Sequence, residues 1–228
     1  FGLIGSALCQ YGYYTSIQYS NAAFATVLSY MAPVMILVYT VVKERRAPRG
    51  YELAAVLLVA LGAFSCATQF KLGALHIAPL ALIWGLLSAV AFAFYTITPQ
   101  KLIQEYSILP IVGWGMILGG IVLALLCRPW TVAVMVNAHL FIMLAGVIFL
   151  GTICSFCFYQ AGVSIVGGLA GSILSAAEPV TSVMISTLLL HVLFTSFDLA
   201  GFVMILSAIP LIAVGEHWSE KQVVSLRK

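Results

Sequence analysis

Eight apolar runs, each long enough to cross a bilayer, follow one another along 228 residues with hardly any polar sequence between them. They occupy residues 2–19, 22–42, 51–70, 77–98, 108–127, 139–159, 168–190 and 197–215. A helix crossing the hydrocarbon core needs about 20 predominantly apolar residues. In lipid every backbone N–H and C=O must be satisfied internally, which leaves only helices and closed barrels as spanning structures. These runs lack the apolar/polar alternation of barrel strands and are about twice as long. The expected fold class is therefore an all-α integral membrane protein. Composition closes the soluble alternative: 63% of the residues are hydrophobic and 7% charged, more apolar surface than a chain of this size can cover in water.

The breaks between runs are short and carry turn or charge signals, as in Lys43-Glu44-Arg45-Arg46-Ala47-Pro48-Arg49 and Arg128-Pro129-Trp130. If the first of these loops is cytoplasmic, alternation places Lys101, Lys221, Arg227 and Lys228 on the same side and leaves Lys71 and Arg128 outside. That bias obeys the positive-inside rule and puts both ends of the chain in the cytoplasm, with a bacterial inner membrane as the expected location. The net charge of +3 is scattered over loop ends with no basic stripe, so nucleic acid is not an expected partner. Phe1 lies inside an apolar run, which leads to the expectation that the native start lies upstream.

Five cysteines (Cys9, Cys66, Cys127, Cys154 and Cys157) sit in or beside apolar runs. Their odd number and scattered spacing make no disulfide framework. The Cys154-x-x-Cys157 pair has no second pair or nearby histidine to complete a metal site, so these side chains read as small buried hydrophobes. No metal or cofactor is expected. Phosphate-binding glycine loops, nucleophile elbows and zinc-helix signatures are missing from the sequence, which argues against an ATP-driven pump and most hydrolases.

Sliding the chain against itself brings Ala25-Thr26-Val27-Leu28-Ser29…Pro33-Val34 onto Gly171-Ser172-Ile173-Leu174-Ser175…Pro179-Val180, and Tyr51-Glu52-Leu53-Ala54 onto Phe197-Asp198-Leu199-Ala200. The same register joins Tyr13 to Tyr159 without a gap. The pairing matches the first span with the sixth, so the copies would have opposite orientations in the membrane. Inverted repeats of this kind build secondary transporters, with the binding site near the midplane between them. Residues 1–75 are read as an N-terminal repeat lacking its first two helices. Residues 76–228 are read as a five-helix repeat with a cytoplasmic tail, eight spans of an expected ten.

One carboxylate stands out. Glu178, followed at once by Pro179, is the acidic residue that falls deep inside a long apolar run. A charge there is costly unless it faces a wet cavity, finds a partner or stays protonated, and so it marks a functional site by default. Gly168, Gly171, Ser175 and Glu178 share its helix face at spacings of three and four. Small residues there suit close helix packing, whereas packing has no need of a carboxylate. Pro179 removes the N–H that would bond the Ser175 carbonyl and tends to kink the helix, as Pro33 would in the first copy, where Ala32 stands in place of Glu178. Ser175, Glu178 and the kink are expected to form a polar notch opening to a central cavity. Contact with a substrate amine or cation, proton coupling and a buried structural hydrogen bond all remain open as roles of Glu178. Tyr13, Tyr30, Trp84, Tyr95 and Tyr159 are the aromatic candidates for the cavity wall, where apolar, aromatic or cationic solutes could bind.

The stretch Tyr159-Gln160-Ala161…Leu174-Ser175-Ala176-Ala177-Glu178-Pro179-Val180 resembles the second-repeat signature of EamA-type transporters of the drug/metabolite transporter superfamily. Tyr13…Ser20-Asn21-Ala22-Ala23…Ser29-Tyr30-Met31-Ala32-Pro33-Val34 is similar to its first-repeat counterpart, and Phe94-Tyr95…Lys101-Leu102 to the end of the helix that opens the second repeat. This chain has Leu190-His191 where the family often has Gly-Glu, so any role of that second glutamate is not carried over. The resemblance implies a ten-helix secondary transporter of small metabolites such as amino acids. The expected function is thus solute transport, with export the expected direction, by alternating access around a midplane cavity, with protons as a possible coupling ion. The alternatives are a membrane-embedded enzyme using Glu178 in acid–base chemistry, and a passive channel.

Overall fold

The computed structural model describes residues 1–68, 78–131, 137–178, 180–181 and 195–226. Among these every regular element is a helix. A π-helical segment, Gly2–Ala7, runs into α1 (Leu8–Tyr19). Then come α2 (Ala22–Ser29), α3 (Ala32–Glu44) and α4 (Gly50–Thr68). The helices α5 (Pro79–Ile97), α6 (Gln100–Tyr106) and α7 (Ile108–Cys127) follow. α8 (Ala138–Gly146) continues through a second π segment, Val147–Cys154, into α9 (Ser155–Val166). α10 (Gly168–Ser175) and α11 (Ser196–Leu226) complete the order.

Local chemistry sets the boundaries. Asn21 starts α2 by accepting the Phe24 N–H on its side-chain oxygen at 2.8 Å, and Asn137 starts α8 by accepting that of Leu140 at 2.7 Å, each satisfying a donor the helix leaves unpaired. Pro33 and Pro79 occupy the first turns of α3 and α5, where a missing N–H costs nothing. Arg45 closes α3 in the left-handed conformation. Gly167, at φ 85°, makes the single-residue joint between α9 and α10, a conformation that glycine adopts without strain.

Four stretches are long and apolar enough to cross a membrane: Phe24–Glu44, Pro79–Tyr106, Ile108–Cys127 and Ala138–Val166, with Gly50–Cys66 and Leu199–Gly215 as shorter apolar helices. The run at 22–42 is one segment by hydropathy, yet it is broken at Tyr30 and Met31 into α2 and α3. The run at 168–190 breaks likewise at Ala176 and Ala177, and its residues 182–190 lie outside the described residues. Apolar side chains such as Leu118, Ile121 and Leu125 on α7 and Phe141 and Phe149 on the α8 stretch point outward, as a surface facing lipid requires.

Glycines set the closest helix contacts. α4 and α11 pack antiparallel: Tyr51 lies against Gly215 at one end and Cys66 against Gly201 at the other. A Cβ on Gly62 would come within 2.8 Å of the Gly201 carbonyl oxygen, and one on Gly201 within 2.7 Å of that of Gly62. Around this crossing lies the main core, with Ile36, Val59, Ile173, Ile205 and Ile212 fully buried. α1 packs on α5 through Gly12, and Ser16 Oγ donates to the Ala81 carbonyl at 2.8 Å. Gly115 and Gly119 on α7 receive Phe1 and Gly2, so the Gly115-x-x-x-Gly119 pattern serves packing within the chain.

Candidate functional site

A cavity of about 640 Å³ opens among the helices. The first π segment and α1 present Ser6, Cys9, Gln10 and Tyr13 to it, residues three and four apart and so on one face. Ser88, Phe92 and Tyr95 do the same from α5, and Ser155, Phe156 and Tyr159 from α9. Thr26, Ser29 and Tyr30 line it from the end of α2, with Ala32 and Pro33 opening α3. Ser172, Ser175 and Glu178 complete the wall.

Two helix breaks bring these last groups inward. At Tyr30–Met31 the Met31 N–H bonds back three residues to Leu28. At Ala176–Ala177 both amides do the same, to Ile173 and Leu174. Each break ends just before a proline. A proline ring clashes with the carbonyl four residues back and offers it no N–H. Pro33 lines the cavity, while Pro179 lies outside the described residues. Serine hydroxyls tighten the same turns: Ser29 donates to Ala25 O at 3.1 Å, Ser172 to Leu169 O at 2.8 Å and Ser175 to Ser172 O at 2.8 Å. Such back-bonding bends helices and leaves the hydroxyl oxygens free to accept.

Glu178 is the one charged side chain in the described lining, and among the described residues no ion pair engages it. Tyr30 lines the same cavity. The tyrosines differ in how they are held. Tyr13 shares a hydrogen bond with Thr26 at 3.1 Å, and Tyr159 one with Thr96 at 2.8 Å. Tyr95 is buried at the centre of an aromatic cluster, its ring 4.9 Å from that of Phe1, 5.5 Å from Phe156 and 6.2 Å from Tyr159. Its hydroxyl is buried and, among the described residues, makes no hydrogen bond. The neighbouring Gln160 donates an amide N–H to the Tyr95 carbonyl at 2.9 Å and accepts from Gln100 Nε2 at 2.8 Å.

Of the residues singled out in the sequence, Glu178, Ser175, Tyr13, Tyr30, Tyr95 and Tyr159 meet in this one cavity. Trp84 does not line it: one turn before Ser88 on α5, its ring packs edge-on to Tyr11 at 5.4 Å. Gly168 and Gly171 are packing positions, facing Ile36, Ile97 and Thr96 in one case and Val163 in the other, and Ser172 rather than Gly171 reaches the cavity. Sequence reading overlooked Gln10 and Ser6, although they precede Tyr13 at helical spacing and make a polar face in the first apolar run. It also overlooked Ser88 and Phe92, whose common face with Tyr95 was available by the same count.

Apolar helices enclosing a cavity with a lone carboxylate and hydroxyl-bearing walls form the architecture of a membrane transport protein. The chain belongs to the EamA-like transporter family, whose sequence model matches residues 1–68 and 79–214. It is 36% identical over 214 residues to the uncharacterized inner membrane transporter YicL of Salmonella typhimurium, an alignment that covers 94% of this chain and 71% of that protein. A solved crystal structure superposes with a TM-score of 0.76 over 93% of this chain and 74% of its own, at 16% identity. That likeness establishes the shared fold alone.

Proposed function

We propose that this membrane transporter is a secondary active carrier that exports small metabolites bearing an amine, amino acids among them, by alternating access. The carrying observation is Glu178, the single charge in the described lining of a cavity otherwise built from aromatic rings, hydroxyls and small side chains. A carboxylate that has no ion-pair partner among the described residues is matched by an ammonium group or a proton arriving with the solute. Aromatic faces favour the same charge.

Alternating access draws support from the breaks. α2 and α10 have the same length and lie 146 residues apart, each followed by a two-residue turn, and α4 and α11 begin at the same offset. The antiparallel packing of α4 on α11 suits two inverted halves, residues 1–75 and 76–228, rocking about a shared seam. The positive-inside bias supports a cytoplasmic position for both ends of the chain. The inner membrane named for the Salmonella relative supports the same location for this chain.

Counterflow in proteoliposomes tests this reading. Vesicles loaded with one of a panel of amino acids and small amines should accumulate the labelled solute, whereas uncharged and dicarboxylic solutes should not exchange. Absence of counterflow for every amine-bearing solute would overturn it.

A further inference from the structure

A second concavity of about 1020 Å³ lies away from the central cavity, walled by α3, α5 and α6 and by Val163, Ser164, Gly167 and Gly168 where α9 meets α10. Its walls are apolar: Met35, Val38 and Val42 from α3 face Val90, Phe94 and Ile97 from α5. Its cations are Lys43, near the end of α3, and Lys101, at the start of α6, with Thr98, Gln100 and Gln104 from the same stretch of chain; Tyr39, Thr40 and Ser164 also line it. From Met35 to Lys43 the groove follows α3 for about 12 Å, close to the roughly 15 Å depth of one hydrocarbon leaflet.

Charge points to what fills it. Glu44 also lines the mouth, but its carboxylate is taken by Arg46. Lys43 and Lys101 are exposed and, among the described residues, make no ion pair. Lys43 Nζ instead sits 5.4 Å from the centre of the Tyr39 ring, an arrangement that holds the ammonium at the groove mouth. An apolar trench one leaflet deep, capped by two uncompensated ammonium groups, is complementary to an acyl chain ending in an anionic headgroup. Basic pockets between spanning helices recognise anionic lipids in this way.

We propose that the α3–α5 groove is a binding site for an anionic phospholipid, with the acyl chain along Val38, Val90 and Phe94 and the phosphate between Lys43 and Lys101. Its occupant is distinct from the transported solute, which the central cavity holds. The lipid would hold α3, the helix that follows the first break, against α5.

Native mass spectrometry of the purified protein in detergent, titrated with phosphatidylglycerol or phosphatidylcholine, tests the site. The wild type should retain one phosphatidylglycerol in preference to phosphatidylcholine. Each lysine near a headgroup contributes about fivefold in affinity, so Lys43→Gln with Lys101→Gln should weaken retention about thirtyfold. Arg128→Gln, at the far end of α7, should leave it unchanged. Val38→Trp, on an exposed wall position, should displace the lipid with both lysines intact. Equal retention of the two lipids, or retention unaffected by the lysine changes, would overturn the proposal. So would equal competition by glycerol 3-phosphate, which would indicate a phosphate site without a lipid, or a dimer dissociated by Val38→Trp, which would indicate a second copy in the groove. Counterflow by these variants need not change, so failure here is distinguishable from failure of the transport reading.

Discussion

Ala32 and Glu178 stand at the same step of two similar helix breaks, each the first helical residue after a two-residue turn, and both line one cavity. One break thus delivers a methyl group and the other a carboxylate to a common space. If the position in the cavity matters more than the helix that carries it, Glu178→Ala combined with Ala32→Glu should recover part of the counterflow that Glu178→Ala alone abolishes. Full inactivity of the double variant, with the protein folded by thermal unfolding, would mean that the carboxylate is needed on the second half specifically.

The α4–α11 seam should be intolerant of added volume. A Cβ at Gly201 would meet Cys66 Sγ and the Gly62 carbonyl oxygen, and backbone cannot move aside as a flexible side chain can. Gly201→Val should lower stability by about 1–3 kcal/mol, read as a fall in Tm in detergent. Gly113→Ala, where no atom lies within 4 Å of the new methyl, should leave the Tm near the wild-type value.

At the end of α3, Arg46 grips Glu52 through two bonds, at 2.6 and 2.7 Å, and the Arg49 N–H adds a third at 2.8 Å. Glu52 is only 4% exposed, so removing the guanidinium leaves a buried carboxylate poorly paired. Arg46→Ala should cost about 2–3 kcal/mol. Adding Glu52→Gln should return much of that loss. A double-variant cycle by chemical or thermal unfolding reads the coupling.

Cys9 lies on the cavity wall, its thiol 3.7 Å from Ser88 Oγ. Polar thiol reagents that enter the cavity should therefore modify it, and a transported solute should slow that modification. Cys127 is exposed at the end of α7 and should react at a rate that solute does not alter. Peptide mass mapping after timed labelling separates the two.

Much of this was legible in the residues. The eight apolar runs mark the described helix starts to within about two residues, because hydropathy acts locally. The helices from Ala138 and Ser196, however, run on to Val166 and Leu226, well past the ends of their runs, and residues 182–190 lie outside the described residues. Glu178 was identifiable by its cost in lipid, and the cavity's tyrosines by their need for a hydroxyl partner. The kink at Pro33 was expected from the proline, but hydropathy alone gave no sign that the run 22–42 divides into two helices at Tyr30 and Met31. Trp84 shows the other limit. It is an aromatic in the same apolar run as Tyr95, and although the family pattern favoured Tyr95, which aromatic faces a cavity and which packs on Tyr11 is decided by where α1 crosses α5. Gly171 and Ser172 differ in the same way, by a rotation of α10 that small residues do not encode.

The most direct measurement compares counterflow by the wild type, Glu178→Gln and Glu178→Asp across pH in the same proteoliposomes. Glu178→Gln keeps the size and polarity of the side chain but cannot carry charge or exchange a proton. A charge-assisted hydrogen bond contributes about 1.5–3 kcal/mol, so exchange of an amine-bearing solute should fall roughly ten- to hundredfold and lose its pH dependence. Glu178→Asp should retain a pH-dependent remnant. Wild-type exchange by a folded Glu178→Gln protein at every pH would contradict the central claim that this carboxylate serves transport.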